Sequence, residues 1–208
     1  MIELRIDKKI KTYKGVSRLL VNDYFPEFSV TKVYGPSGIG KTTFLKIIAG
    51  LITPENGLIK VKEQCWLDTQ NGIDLPAQER KTGFVFQDYA LFPNMSTIEH
   101  LQYATDDSNL VERLLQMGQM KSYANQRPQN LSGGQQQRLA ILRALALKPK
   151  LMLMDEPFSA MDDLLREEII ANLKILLKEF GTTTLIVSHH AQDTIGFADR
   201  SLEISMED

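Results

Sequence analysis

The 208-residue sequence contains a single cysteine, Cys65, so no disulfide can close within the chain and the disulfide-rich scaffolds of small secreted domains are excluded. It also has no apolar run near the ~18 residues that a membrane-spanning helix needs. The most apolar stretch, 139–147, is interrupted by Arg143. Any membrane role is therefore expected to be peripheral. The opening residues Met1-Ile2-Glu3-Leu4-Arg5 carry charge where a secretory leader needs an apolar stretch. Together with the lone cysteine, this start points to a reducing cytoplasm. Neither sign of charge dominates, with 24 Lys+Arg against 26 Asp+Glu and a net charge of −2. That balance lacks the broad positive field of a sequence-independent nucleic-acid binder, and no nucleic-acid partner is expected. Internal repeats, low-complexity tracts and Pro/Gly-rich linkers are missing as well. The chain reads as one continuous fold that buries roughly 70% of its unfolded surface.

What is present alternates between strand and helix. Residues 30–34 are β-branched and alternating, and they run into a glycine-rich stretch. Residues 41–49 read as a helix with Phe44, Leu45 and Ile48 on one face and Gly50 as its stop. An Asn56-Gly57 turn signal precedes a strand at 58–61, which can form a hairpin with 65–67. Residues 83–86 are a further strand. From Asp88 to Leu147 the pattern becomes helical. Ser96-Thr97-Ile98-Glu99 fits a capping box, 111–117 ends at Gly118, and 135–147 ends before Pro149. His100, on the capping-box helix, reads as a surface or groove side chain. Residues 151–154 form the short apolar run of a strand covered on both faces. Leu165, Ile169, Leu173, Leu176 and Phe180 then keep helical spacing up to Gly181, and 183–187 returns to strand. This alternation predicts an α/β core with a helical insertion.

Gly35-Pro36-Ser37-Gly38-Ile39-Gly40-Lys41-Thr42 fits G-x-x-x-x-G-K-[ST] and lies between a predicted strand and a predicted helix. Glycines let successive amides turn inward toward phosphate oxygens. Lys41 can then reach the β- and γ-phosphates, and the Thr42 hydroxyl can bind Mg²⁺. The alternative is a glycine-rich turn that only connects two elements. Asp155-Glu156 follows the apolar run at 151–154, so two carboxylates stand at a strand's C-terminal end, where ligands bind in open α/β sheets. One can hold the metal and the other can orient or deprotonate water. An acidic residue after a core strand is also commonplace. Leu131-Ser132-Gly133-Gly134-Gln135 is the more specific pattern: a hydroxyl and two glycine amides ahead of a helix can act as a second phosphate receptor.

With these three motifs the chain resembles the ATP-binding subunits of ABC transporters over nearly all its length. Gln87 resembles the Q-loop glutamine, Ser159-Ala160-Met161-Asp162 the D-loop, and His189 the switch histidine, in the family's order. The resemblance implies a P-loop NTPase core with a mostly parallel sheet, an N-terminal antiparallel β portion and an inserted α-helical subdomain. Residues 1–87 and 148–208 would form the ATP-binding core, and 88–147 the helical subdomain. The implied ligands are ATP and Mg²⁺. Catalytic roles fall to Glu156, His189 and Gln87, and metal contacts to Thr42, Gln87 and Asp155. Nucleotide contacts fall to Gly35, Pro36, Ser37, Gly38, Ile39, Gly40, Lys41, Thr42 and Thr43, and to Ser132, Gly133, Gly134, Gln135 and Asp162. Tyr13 is the candidate for stacking on adenine, although Tyr24 and Phe25 also lie upstream. His190 stands where many relatives have aspartate, and a His189-His190 metal site lacks an evident third ligand.

The implied function is that of an ATP-hydrolysing motor: two copies close around two ATP molecules and drive transport through separate transmembrane permease subunits. The protein would be cytoplasmic and peripheral on the inner face of the cell membrane. The segment from Phe84 to Pro93 looks most like importers of small solutes, including molybdate- and sulfate-type importers. Tyr89, Leu91 and Phe92 either dock a helix of the membrane partner or fill the helical subdomain's own core. An exporter-type motor is the closest rival. A soluble ABC ATPase acting on nucleic acid or ribosomes fits less well, since no sustained heptads separate Lys41 from Leu131 and the cassette occurs once.

Overall fold

A computed structural model describes residues 1–12, 15–189 and 194–207. Two long strands open the chain, β1 (Ile2–Thr12) and β2 (Gly15–Phe25), followed by β3 (Val30–Tyr34) and helix α1 (Lys41–Ile48). Then come β4 (Asn56–Val61), β5 (Gln64–Asp68), β6 (Ile73–Asp74), the single-turn α2 (Ala77–Arg80) and β7 (Gly83–Val85). Three helices follow, α3 (Thr97–Ala104), α4 (Ser108–Met117) and α5 (Gly133–Ala146). The chain continues through β8 (Leu151–Asp155), α6 (Asp163–Phe180), β9 (Thr183–Val187), β10 (Arg200–Glu203) and β11 (Met206–Glu207).

The strands form two sheets. One is antiparallel in the order β11-β2-β1-β4-β5-β6, and the other is parallel in the order β10-β3-β9-β8-β7. Alternation along β1 turns Ile2, Leu4 and Ile6 inward, and β2 adds Leu19, Val21 and Phe25. Both β8 and β9 are buried along their whole length, as a central parallel strand must be.

The two-residue period of β8 divides the hydrophobic core. Leu151 and Leu153 face a layer shared with α1 and the antiparallel sheet, where Phe44, Leu45, Ile47 and Ile48 lie. Met152 and Met154 face the opposite layer, built from Leu101, Leu114, Leu139, Ile141, Ile169 and Leu173 on the helices. The parallel sheet is therefore the middle layer, and the C-terminal ends of β3 and β8 carry the glycine-rich loop and the paired acids.

Several boundaries differ from the sequence pattern because caps extend the helices. The Asp107 carboxylate accepts from Leu110 N at 3.0 Å, so α4 begins at Ser108 rather than Val111. Ser132 caps α5, which begins two residues before Gln135. His100 is a correction. It is fully buried on the face of α3 that carries Thr97 and Leu101, at helical spacing. Its Nδ1 lies 2.8 Å from Ser96 O, and its Nε2 accepts from Phe92 N at 2.9 Å. Both ring nitrogens are satisfied inside the protein, which fixes the neutral Nδ1–H form.

Candidate functional site

The loop at 35–40 leaves β3 and enters α1 through Gly40, whose φ of 99° suits glycine. A β-carbon at Gly40 would collide with the Ile10 side chain. Among the described residues no side chain caps α1. Its first amides are thus left for another acceptor, and with the helix dipole they favour an anion.

A cleft of about 300 Å³ opens there, lined by Ile10, Ser37, Gly38, Gly40, Lys41, Thr42, Thr43, Gln87, Asp155, Glu156, Val187 and His189. Lys41 is 6% exposed, and its Nζ donates to Gly35 O at 2.8 Å and Pro36 O at 2.9 Å. Burial lowers the proton affinity of that ammonium, while the charges of Glu156 and Asp155 oppose the shift. Ile39 turns its side chain into the core beside α1 instead of the cleft. Thr42 Oγ1 donates to Asp155 Oδ2 at 2.6 Å. Burial raises the Asp155 carboxyl's proton affinity, and the Thr42 hydroxyl and nearby cations counter it only in part.

Glu156 follows directly with a left-handed backbone, φ 49°. Its amide donates to Val187 O at 3.0 Å, which ties the turn to β9. His189 N donates to Glu156 Oε2 at 3.3 Å, and His189 Nε2 lies 3.5 Å from Glu156 Oε1. Gln87 is exposed at the rim. Tyr13 and His190 lie outside the described residues.

The second group of predicted residues is elsewhere in the chain. Ser132, Gly133, Gly134, Gln135 and Asp162 contribute nothing to the lining of this cleft. Ser132 and Gln135 close a capping box at the start of α5: Ser132 N donates to Gln135 Oε1 at 2.7 Å, and Gln135 N donates to Ser132 Oγ at 3.3 Å. Asp162 caps α6 by accepting from Leu165 N at 3.0 Å. Between them, Gly134 approaches Ala160 so closely that a β-carbon there would lie 2.8 Å from Ala160 O.

Three side chains near the site were not singled out by the motifs. Ile10 brings the end of β1 onto the cleft. Arg143 donates to Ala90 O at 2.7 Å and Tyr89 O at 3.2 Å, holding two successive residues of positive φ after Gln87. Gln137 is 1% exposed and bonded to the Glu156 turn. Its signal was legible: at helical spacing it shares a face with Ala140, Ile141 and Ala144, so a glutamine occupies an apolar stripe. Beside Gln87, Tyr89 and Leu91 are half-buried against the helical layer, whereas Phe92 is 38% and Tyr103 69% exposed, with their rings edge to face.

Residues 21–159 match the family model described as ABC transporter. The chain is 39% identical over 202 residues to a sulfate/thiosulfate import ATP-binding protein of Mesostigma viride, covering 93% of this chain and 56% of that protein. It is 41% identical over 197 residues to an Fe(3+) ions import ATP-binding protein of Pseudomonas fluorescens, covering 91% and 55%. A molybdenum import ATP-binding protein of Haemophilus ducreyi is 36% identical over 203 residues, covering 96% and 56%. The chain thus spans little more than half the length of these relatives. Among solved structures, the ATP-binding cassette MJ0796, described as dimeric in a post-hydrolysis state with ADP and Pi, superposes with a TM-score of 0.83 at 31% identity. That match covers 100% of this chain and 98% of the other. On this sequence and structural correspondence, the chain belongs to the ABC transporter family of ATPases and carries an ATP-binding cassette of the P-loop NTPase fold.

Proposed function

We propose that the chain hydrolyses ATP as the motor subunit of an importer, with two copies closing around two ATP molecules and separate permease subunits carrying the solute. The observation that carries this reading is one cleft in which uncapped helix amides, Lys41, the Thr42–Asp155 pair and the Glu156–His189 pair converge. In this reading the amides of 35–40 and Lys41 hold the triphosphate. Thr42 and Asp155, joined by Gln87, would hold Mg²⁺. Their hard oxygen donors suit that ion, and a cation beside Asp155 would offset the cost of its buried charge. When bound, Mg²⁺ neutralises charge on the phosphate oxygens. Glu156 accepts the proton of the attacking water as the new O–P bond forms and the bond to ADP breaks, and His189 orients that carboxylate.

Residues 131–135 and Asp162 would complete the site of a second copy. The division into a core of 1–87 with 148–208 and a helical subdomain of 88–147 belongs to the same reading. Phe92 and Tyr103, exposed with their rings edge to face, are suited to meet a permease helix and hold the protein peripherally at the inner face of the membrane. Import is supported by relatives named for import, and their differing solutes leave this chain's cargo unassigned.

The test is Glu156→Gln, which preserves shape and removes basicity. ATP binding should persist while turnover falls by roughly 10²- to 10⁴-fold, the usual contribution of a general base. Turnover close to that of the unaltered protein would overturn the assignment of Glu156.

A further inference from the structure

Gln137 projects from the second turn of α5 into a buried position, where an amide group requires hydrogen-bond partners for both its oxygen and its nitrogen. All of the partners it finds lie in the loop after β8. Its Nε2 donates to Glu156 O at 2.9 Å and to Ser159 Oγ at 3.1 Å, and its Oε1 accepts from Ala160 N at 3.0 Å. Ser159 Oγ also donates to Glu156 O, at 3.2 Å. The Glu156 carbonyl is thus held by two donors, one on a helix and one on its own loop.

This carbonyl belongs to a residue with a φ of 49°, a conformation that residues bearing a β-carbon keep only when their surroundings impose it. The approach of Gly134 to Ala160 brings the first turn of α5 against the same loop. Fixing the peptide on either side of Glu156 fixes the direction in which its carboxylate leaves the backbone. The hydrogen bond that the Glu156 amide donates to Val187 O holds one side, and the one that its carbonyl accepts from Gln137 holds the other.

We propose that Gln137 is a positioning residue for Glu156, aiming the carboxylate at the attacking water by holding the carbonyl of the turn, and tying the Ser132 end of α5 to that carboxylate within one chain. The inference rests on the reading of Glu156 as the group that receives the water's proton. None of the hydrogen bonds described for Gln137 reaches residues 35–43, so nucleotide binding and carboxylate placement are separable.

The experiment compares the purified full chain with Gln137→Met, which keeps length and apolar packing but cannot bond, and Gln137→Glu, which keeps an acceptor for Ala160 N but has no donor for Glu156 O when ionised. ATP affinity, kcat for ATP hydrolysis at neutral pH and the unfolding midpoint are measured for each, with Glu156→Gln in parallel. Misplacing a reacting group by about 1 Å can cost roughly 10²-fold, so kcat should fall at least about tenfold in both variants while ATP affinity stays within about twofold. A smaller loss of kcat in either folded variant overturns the proposal, as does a loss of affinity that parallels the loss of kcat. Should Gln137→Met fail to fold, Gln137→Glu decides. If Glu156→Gln is inactive while both Gln137 variants remain active, this inference alone fails. If Glu156→Gln hydrolyses ATP normally, the assignment of Glu156 fails and takes this inference with it.

Discussion

At position 100 an imidazole is buried with no ionic partner among the described residues. Desolvation lowers its proton affinity below the ordinary value of 6.5, Arg143 lowers it further, and the Ser96 carbonyl and Glu99 oppose them. Protonating Nε2 would also break its bond to Phe92 N, which pins the loop after Gln87. Between the lowered folded-state pKa and 6.5, the unfolded chain binds more protons than the folded one, so stability rises with pH across that window. The stability that neutral His100 supplies is therefore present above 6.5 and lost as pH falls through its folded-state pKa. Unfolding midpoints measured between pH 7.5 and 5 should fall for the protein as it stands and fall less for His100→Gln. Parallel slopes would show that acid acts through other groups. Arg80, by contrast, is a buried charge. It is 3% exposed and donates to Ile47 O and Ile48 O at 2.9 Å each, capping the far end of α1, and its guanidinium bonds Asp74 Oδ1 at 2.9 Å.

The helices are distinguished by how they begin. Side chains of Ser96, Asp107, Ser132 and Asp162 cap α3, α4, α5 and α6, whereas α1 enters through Gly40 without one. A side-chain cap typically contributes ~1 kcal/mol, which α1 forgoes while keeping its amides available for phosphate. On α5, Gly134 opposes intrinsic propensity. Alanine is favoured over glycine inside a helix by about 1 kcal/mol, so propensity alone has Gly134→Ala stabilising the protein. The 2.8 Å approach to the Ala160 carbonyl reverses that expectation, because a backbone atom cannot swing aside. Gly134→Ala should lower stability by about 1–3 kcal/mol, the usual cost of overpacking, and displace the loop that carries Ser159 and Ala160. Denaturant unfolding of the variant checks the sign, and a more stable variant would show that the contact relaxes freely.

Across the whole molecule, the predicted phosphate receptors form two groups. Lys41 lies in the cleft, while Ser132 lies at the start of α5 and outside the lining of that cleft. A second receptor held away from the first is useful to a nucleotide when another copy presents it, and two-fold symmetry would then place two nucleotides at one interface. In a mixed dimer with Lys41→Ala in one chain and Ser132→Arg in the other, a shared arrangement concentrates both lesions in one site and leaves the other whole. Such a dimer should occlude close to one ATP, and either mutant homodimer almost none. Occlusion by the mixed dimer no greater than by the homodimers, with the unaltered protein trapping ATP under the same conditions, would count against sites shared between chains.

Local chemistry made much of this protein legible in its sequence. The glycine-rich loop between β3 and α1, the Ser96–Glu99 capping box and the buried run of β8 arise from patterns that act over a few positions, whereas Asn56-Gly57, which reads as a turn, lies inside β4 paired with β1, and the β4–β5 hairpin turns at Lys62-Glu63 instead. The acids at the end of β8 were legible for the same reason: a parallel strand delivers the residues after it to one edge of the sheet. Packing between distant segments decided the rest. His100 departs from its sequence reading because polarity says where a side chain belongs on average, whereas the carbonyl of Ser96 and the amide of Phe92 make its burial tolerable. Gln137 is one of three consecutive glutamines, and although its place in an apolar stripe marks it for burial, only the approach of α5 to the Glu156 turn decides which groups it bonds. The joining of Thr42 to Asp155 and of Glu156 to His189 likewise rests on the order of strands in the parallel sheet. Hydrogen bonds between residues remote in sequence leave no periodic trace in it, and they form only once both elements are packed.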